Sequence, residues 1–322
     1  MTIADISKDD VALVFPGQGS QFVGMGKALY ERSVAARRIF DQADDILGLS
    51  VSRLCFEGPA ADLDDTINAQ PAILTMSAAA LEALKERAAA TGERLLPIVV
   101  AGHSLGEFTA LMAAGVIDFG AALRVVRERG RLMKEAGDER PGGMAAVIGL
   151  DEETLAAVCA EAEHEGIVGL ANANCPGQTV ISGEIGALLR AMELAKERGA
   201  QRVARLGISI ASHSPLMARA SNQLGDILNR LPLHAPHVPI VANVTGRAII
   251  SVDEVRQELA HHVERPVNWT RSVREMVNSG ASTFVEVGPG QVLSGLIKRI
   301  SRDVTTLSLS DLGLPMDPRR ER

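Results

Sequence analysis

The sequence predicts an α/β protein in two parts: a large domain built on a parallel sheet, and a small ferredoxin-like βαββαβ subdomain inserted into it. Short apolar runs rich in β-branched residues alternate with longer segments of helical period, the texture of a parallel sheet flanked by helices. That texture breaks at Pro141-Gly142-Gly143 and resumes near Gly207. Between the two points the order β-α-β-β-α-β fits the split βαβ arrangement. The large domain is therefore placed at 1–140 and 207–322, and the insert at 141–206.

Val11 to Phe15 reads as the first strand and runs into Pro16-Gly17-Gln18-Gly19-Ser20-Gln21. This loop resembles a phosphate cradle, but it has neither G-K-[ST] nor G-x-G-x-x-G. It reads instead as a turn that brings an amide close to something small. Ala28 to Leu47 is predicted as one helix with a charged face, and Asp62 to Asn68 as an acidic surface turn. Gln70-Pro71 then opens a long helix, Ala72 to Ala90, because Pro suits a first helical turn. Pro97 to Gly102 is a strand, and Phe108 to Val116 a helix. The helix Gly120 to Glu135 carries Arg124, Arg127, Arg129, Arg131 and Lys134. At 3.6 residues per turn these cannot all face one way.

In the insert, Met144 to Leu150 is a strand and Asp151 to Glu165 a helix, with Asp151 as N-cap and Glu152 and Glu153 in the first turn. Ile167 to Ala173 and Thr179 to Ser182 form a hairpin around Asn174-Cys175-Pro176-Gly177. A second helix, Ile185 to Arg198, stops at Gly199, and Arg202 to Leu206 is the closing strand. Beyond it come a helix from Leu216 to Arg230, a strand from Val238 to Ala242 and a helix from Val252 to Val263. Pro266-Val267-Asn268-Trp269 leads into another helix. A strand from Phe284 to Val287 ends in Gly288-Pro289-Gly290, before a helix with Lys298 and Arg299. The tail from Pro315 onward reads as disordered.

The bulk numbers narrow the function. At 322 residues, 46% hydrophobic and 23% charged, the chain can bury a sizeable core. A net charge of −7 with 3% aromatics argues against nucleic acid as a partner. No apolar run reaches ~18 residues, so no membrane span is expected. The polar, acidic start is unlike a signal peptide. Cys55, Cys159 and Cys175 form no C-x-x-C, and three cannot all pair. They read as reduced thiols in a cytoplasmic chain.

The chemistry centres on GHSLG, residues 102–106. Between a strand and a helix, G-x-S-x-G means a nucleophile elbow in an α/β-hydrolase-like domain. An ordinary glycine-rich turn would give the same string. On an elbow, Ser104 stands at the turn and the Leu105 amide lies at a helix N-terminus, suited to an oxyanion. Ser104 needs a base. Of the seven histidines, His103 adjoins the serine and should point away from it. His164, His234 and His237 read as surface residues, and His261 and His262 close a helix, where they would complement its dipole. His213 lies between two serines where the large domain resumes, and is the best candidate. No acidic third member is singled out.

Six motifs in order are FPGQGSQFVGMG, AQPAIL, AGHSLGE, ERGRLM, SHSPLM and EVGPG. Together they resemble the malonyl-CoA:acyl carrier protein transacylases, the free-standing acyltransferases of bacterial fatty-acid synthesis. The resemblance spans roughly residues 11–310 and includes the insert. It implies a ping-pong transfer of malonyl from malonyl-CoA to acyl carrier protein through a malonyl ester on Ser104, with no metal or other cofactor. It makes His213 the base, the backbones of Gln18 and Leu105 the oxyanion hole, and Arg129 the holder of the malonyl carboxylate. Arg131 then points elsewhere. The family orients its histidine with main-chain carbonyls. One comes from the position four before the Pro of P-V-x-W, here His262 where Gln is common. Asn174 is implied as a channel residue. Two neighbouring readings stay open: a discrete acyltransferase of a polyketide synthase using malonyl or a substituted malonyl unit, and a serine esterase or thioesterase. Ser212, before the histidine, does not separate malonyl from methylmalonyl use.

Overall fold

The computed structural model describes Ile6 and residues 10–314; the expectation of a disordered tail from Pro315 onward falls outside them. In chain order the elements are β1 (Val11–Phe15), α1 (Lys27–Arg32), α2 (Val34–Leu47), α3 (Val51–Glu57), α4 (Ala60–Asp64), α5 (Thr66–Ala90), β2 (Val99–Gly102), α6 (Gly106–Ala113) and α7 (Phe119–Glu139). Next come β3 (Gly142–Ile148), α8 (Glu152–Ala162), β4 (Val168–Cys175), β5 (Gln178–Glu184), α9 (Ile185–Glu197) and β6 (Arg202–Arg205). The chain ends with α10 (Ala218–Asn229), β7 (Ile240–Val241), β8 (Ala248–Ile249), α11 (Val252–Leu259), α12 (Trp269–Asn278), β9 (Thr283–Glu286), α13 (Val292–Ile300) and β10 (Thr305–Ser308).

The larger sheet has the order β10-β9-β1-β2-β7-β8. Its pairings are parallel from β10 to β7, and β8 alone runs antiparallel, against β7. The predicted parallel sheet therefore ends in one antiparallel edge pairing. β1 and β2 are buried along their whole length, as strands covered on both faces must be. Val11, Leu13 and Phe15 enter one apolar layer with Ile73 and Leu123 of α5 and α7. Ala12 and Val14 enter the opposite layer with Trp269 and Ile297 of α12 and α13. The two-residue period of a strand sorts them.

The smaller sheet, β4-β5-β3-β6, is antiparallel throughout, the ferredoxin-like order. Ala145 and Val147 of β3 pack on Leu155 of α8 and Leu188 of α9. Met144 and Val180 face the other way, into a cavity shared with the larger unit. Backbone ties fix that arrangement. Ala173 N–H donates to the Val267 carbonyl at 2.9 Å, and Val267 N–H to the Ala171 carbonyl at 2.8 Å.

Besides end shifts such as α11 stopping at Leu259 and α7 running to Glu139, three helical readings are corrected by the structure. The helix expected over Ala28–Leu47 is two helices, broken at Ser33, whose extended backbone lets its hydroxyl cap Ala36 N–H. The acidic stretch Asp62–Asn68 is not a turn: its first half is in α4, and Asp65 caps α5 by accepting from Ile67 N–H. Pro71 therefore lies inside α5 and does not open it. A proline there leaves the carbonyl four residues earlier without its donor. That carbonyl belongs to Ile67, and Arg127 Nη1 of α7 donates to it at 2.9 Å, and to Asn68 Oδ1 at 2.7 Å.

Arg127→Met keeps the aliphatic stem and removes this replacement donor. It should lower unfolding free energy by about 1 kcal/mol, the net worth of a hydrogen bond at a half-buried site. Urea denaturation checks this; unchanged stability would mean that water serves the Ile67 carbonyl equally well.

Candidate active site

β2 leads through His103, Ser104 and Leu105 into α6 with no slack. A Cβ on Gly102 would lie 1.9 Å from the carbonyl carbon of Gly106, and one on Gly106 would lie 2.0 Å from the carbonyl oxygen of Phe15. Only hydrogen fits at either position. Ser104 sits at the apex with φ +49°. Asn243, just past β7, braces this conformation: its Oδ1 accepts from Ser104 N–H at 2.7 Å, and its Nδ2 donates to the Gly102 carbonyl at 2.7 Å.

Ser104 Oγ lies 2.9 Å from His213 Nε2. His213 also has positive φ, +58°, and its N–H donates to the Val263 carbonyl at 2.8 Å. The Arg265 carbonyl oxygen is 3.0 Å from His213 Nδ1. A carbonyl only accepts, so Nδ1 carries the ring proton and Nε2 offers its lone pair to the serine. The orienting carbonyl is thus that of Arg265, and not that of His262 as the resemblance implied: with the ring held by Val263 at its own backbone, the residue next to Pro266 is the one whose carbonyl reaches Nδ1.

Arg129 is 2% exposed and enters from α7. Its Nη1 donates to Gln70 Oε1 at 2.8 Å, and its Nη2 to Ser104 Oγ at 3.1 Å. Its Nε is buried with no hydrogen-bond partner among the described residues. Arg131 points outward, paired with Glu128 and Glu135. Burial holds His213 well below the ordinary histidine range, and the charge of Arg129 lowers it further.

These side chains line a cavity of about 260 Å³. Gln18, Ser104, Arg129, Asn174 and His213 supply its polar wall, and Asn174 Oδ1 lies 2.9 Å from His103 Nε2. Gly17 lets the Gln18 loop close on the elbow, since a Cβ there would meet the His103 carbonyl oxygen at 2.4 Å. Leu105 precedes α6 as its N-cap, so its N–H has no intrahelical acceptor. Such a set can take a proton from a serine, stabilise an oxyanion and bind an anion. Cys175 is buried on Gln178 and its thiol is pushed up by burial, which disfavours a thiolate. Lys298 Nζ is spent on the Val304 carbonyl at 3.0 Å, whereas Arg299 reaches Gln178, a residue of the cavity wall.

Residues 12–311 match the acyl transferase domain family. The chain is 44% identical over 302 residues to the malonyl CoA-acyl carrier protein transacylase of Bacillus subtilis (strain 168), covering 94% of this chain and 93% of that protein. The chain belongs to the malonyl CoA-acyl carrier protein transacylase family. It is an acyltransferase. An acyl carrier protein S-malonyltransferase structure from Vibrio cholerae superposes with a TM-score of 0.89 at 39% identity, over 95% of this chain and 98% of that one. A malonyl-transacylase solved with a type II PKS acyl-carrier protein gives 0.89 at 38% identity, over 95% and 99%.

For a member of this acyltransferase family, the sequence reading missed some neighbours of the serine. Asn243 had one available signal: a polar residue directly after an apolar strand, at the carboxyl end where ligands gather in such sheets. Gln70 and Glu107 stood inside the motifs AQPAIL and AGHSLGE, but nothing local marked their partners, Arg129 of α7 and His262 past the end of α11. His262 is not a dipole-complementing helix end. It is 1% exposed, and its Nε2 lies 3.0 Å from Glu107 Oε2.

A neutral imidazole is the form able to take the Ser104 proton. With its pKa lowered, His213 stays neutral as pH falls through 6.5. Labelling of Ser104 by a fluorophosphonate reagent should therefore hold its rate across pH 6.5 and decline only below it. A midpoint at or above that pH would contradict the buried setting of His213.

Proposed function

We propose that this chain transfers a malonyl group from malonyl-CoA to the phosphopantetheine thiol of acyl carrier protein, in the service of fatty-acid synthesis. The observation that carries the reading is the buried guanidinium of Arg129 beside Ser104 Oγ, with Nε unpaired. A buried, incompletely paired cation calls for an anionic substrate group, and the planar fork of arginine fits a carboxylate. Malonyl differs from acetyl by that group.

His213 Nε2 takes the Ser104 proton as Oγ attacks the thioester carbonyl. The tetrahedral oxyanion is met by the backbone amides of Gln18 and Leu105. Collapse breaks the carbon–sulfur bond, and His213 returns the proton to the departing coenzyme A thiolate. The carrier thiol then gives its proton to His213, attacks the malonyl ester and regenerates Ser104. Thioester to oxyester to thioester needs no redox partner or metal, and none is proposed. Residues 141–206 act as an inserted subdomain against the unit formed by 1–140 and 207–322, and Met144 and Val180 of the insert roof the cavity over the serine. Closure on that side would exclude water from the ester. Asn174 lines the same channel. Three free, buried cysteines support a cytoplasmic setting. The solved neighbour bound to a type II PKS carrier supports a second reading, service to a polyketide carrier with the same chemistry. Comparing kcat/KM for the two kinds of carrier separates them.

Incubation with malonyl-CoA should add one malonyl mass to the protein, and Ser104→Ala should abolish it. Intact-mass measurement checks this; acylation persisting in the variant, or mapping to Cys175, would overturn the assignment.

Arg129→Ala should lower malonyl kcat/KM by roughly 30- to 4,000-fold, the cost of truncating one partner of a buried charge pair. It should also raise acetyl-CoA activity relative to malonyl-CoA. Arg131→Ala should do neither, since that residue is engaged with Glu128 and Glu135. A constant malonyl-to-acetyl ratio across these variants would remove Arg129 from substrate recognition.

A further inference from the structure

Arg129 is held by more than the residues that face the cavity. Behind it, Glu107 of α6 and His262, three residues past α11, are each 1% exposed. Arg129 Nη2 lies 3.5 Å from His262 Nδ1. A guanidinium can only donate, so the Nδ1 that faces it bears the lone pair. The neutral ring then carries its proton on Nε2, the atom 3.0 Å from Glu107 Oε2. Neither Nε2 nor Oε2 has a hydrogen-bond partner among the described residues, so their 3.0 Å approach is a close polar contact and not a formed hydrogen bond. The imidazole therefore stands between a carboxylate and a guanidinium with its one proton turned to the former. The edge of His262 also packs on Phe108, ring centroids 5.4 Å apart, and Arg129 Cζ sits 5.9 Å from the Phe108 centroid. The neighbouring His261 makes an ordinary half-exposed pair with Glu264, so the burial belongs to His262 alone.

We infer that His262 and Glu107 form a positioning pair that aims the Arg129 guanidinium at the reaction cavity and so sets the preference for a carboxylate-bearing acyl group. The inference rests on the reading that Arg129 meets the malonyl carboxylate. Its physical basis is that a carboxylate is recognised by both nitrogens of the fork only if the plane of the guanidinium is fixed. Gln70 fixes one end through Nη1 at 2.8 Å. His262 stops the other end from swinging away from Ser104, and Glu107 fixes the tautomer that lets it do so. Glu107 also opposes the effect of burial on Arg129, which would otherwise favour loss of the charge. Neither residue touches the reacting atoms; both act through Arg129.

The test is steady-state transfer from malonyl-CoA and acetyl-CoA by the wild-type protein, Arg129→Ala, His262→Ala, His262→Asn and Glu107→Gln. His262→Ala should lower the malonyl-to-acetyl ratio of kcat/KM roughly tenfold, the scale of one hydrogen bond to a charged group. The loss should fall mainly on KM for malonyl-CoA. His262→Asn places an acceptor oxygen where Nδ1 stood and should recover most of the ratio. Glu107→Gln should lower it, because the tautomer is no longer set. A ratio unchanged in His262→Ala while Arg129→Ala collapses it would overturn the inference and leave the Arg129 reading intact. A ratio unchanged in Arg129→Ala would overturn that reading itself. If His262→Ala does not fold, Glu107→Gln decides: a lowered ratio supports the pair, and an unchanged one overturns it.

Discussion

The site depends on a place where three backbones meet with no side chain between them. The carboxyl end of β1 delivers the Phe15 carbonyl, which accepts from His103 N–H at 3.0 Å. Gly102 and Gly106 let the elbow and the start of α6 close on that point, and Gly17 lets the following loop close on His103. Each approach is below the contact distance a Cβ would allow. The left-handed conformation of Ser104 follows, because the chain must reverse from strand to helix within three residues. A non-glycine residue in that region costs of order 1–3 kcal/mol unless its surroundings impose it. Asn243 imposes it with two hydrogen bonds on the strand side of the apex, to the Gly102 carbonyl and the Ser104 N–H. His213 repeats the pattern on the opposite wall, pinned by the Val263 and Arg265 carbonyls. The two non-glycine residues with positive φ among the described residues are the two that share the 2.9 Å contact.

What was legible in the sequence was what is local. G-x-S-x-G records the elbow because Gly102 is demanded by Gly106 four residues on, although Gly106 is demanded by the remote Phe15 carbonyl. The ferredoxin-like unit was legible because Pro141-Gly142-Gly143 and Gly199 punctuate it and Asp151 caps its first helix, accepting from Thr154 N–H at 2.7 Å. The start of α5 was not, because Pro71 is tolerated inside a helix only through Arg127, which is remote in sequence from the carbonyl it serves. β8 and β10 were missed for different reasons: one is two residues long, and the other, Thr305–Ser308, is mostly polar. At the site, Ser104 was legible by motif and His213 by elimination. Arg129, Gln18 and Asn174 came through resemblance, and the structure lines one cavity with them. His262 was misplaced because a pair of adjacent histidines at a helix end looks alike in sequence. Only the packing of α6 and α7 separates the buried one from its exposed neighbour.

The charges at the site also act on one another. Burial raises the Glu107 carboxyl and lowers Arg129, while the charge of each opposes the shift of the other. Asn243, which braces Ser104, also lowers Glu107 through its backbone N–H. The elbow brace and the buried carboxylate thus share a residue, so the geometry of the nucleophile and the electrostatics behind Arg129 cannot be altered separately at that point.

A single cation near both the nucleophile and the base has a further consequence. Arg129 donates to Ser104 Oγ, and its charge is among the causes that hold His213 low. Burial first, and that charge after it, keep the imidazole neutral, ready to accept a proton, but also weakly basic. On the proposed reading, the malonyl carboxylate would offset the charge of Arg129 when it binds. The lone pair of His213 would then become more basic at the moment a thioester carbonyl lies beside Ser104. An acetyl group brings no such compensation: it would leave the guanidinium buried and unpaired, and the base as weak as before. Selection for a carboxylate and activation of the nucleophile would then have one physical origin, the placement of a buried arginine 3.1 Å from the serine oxygen.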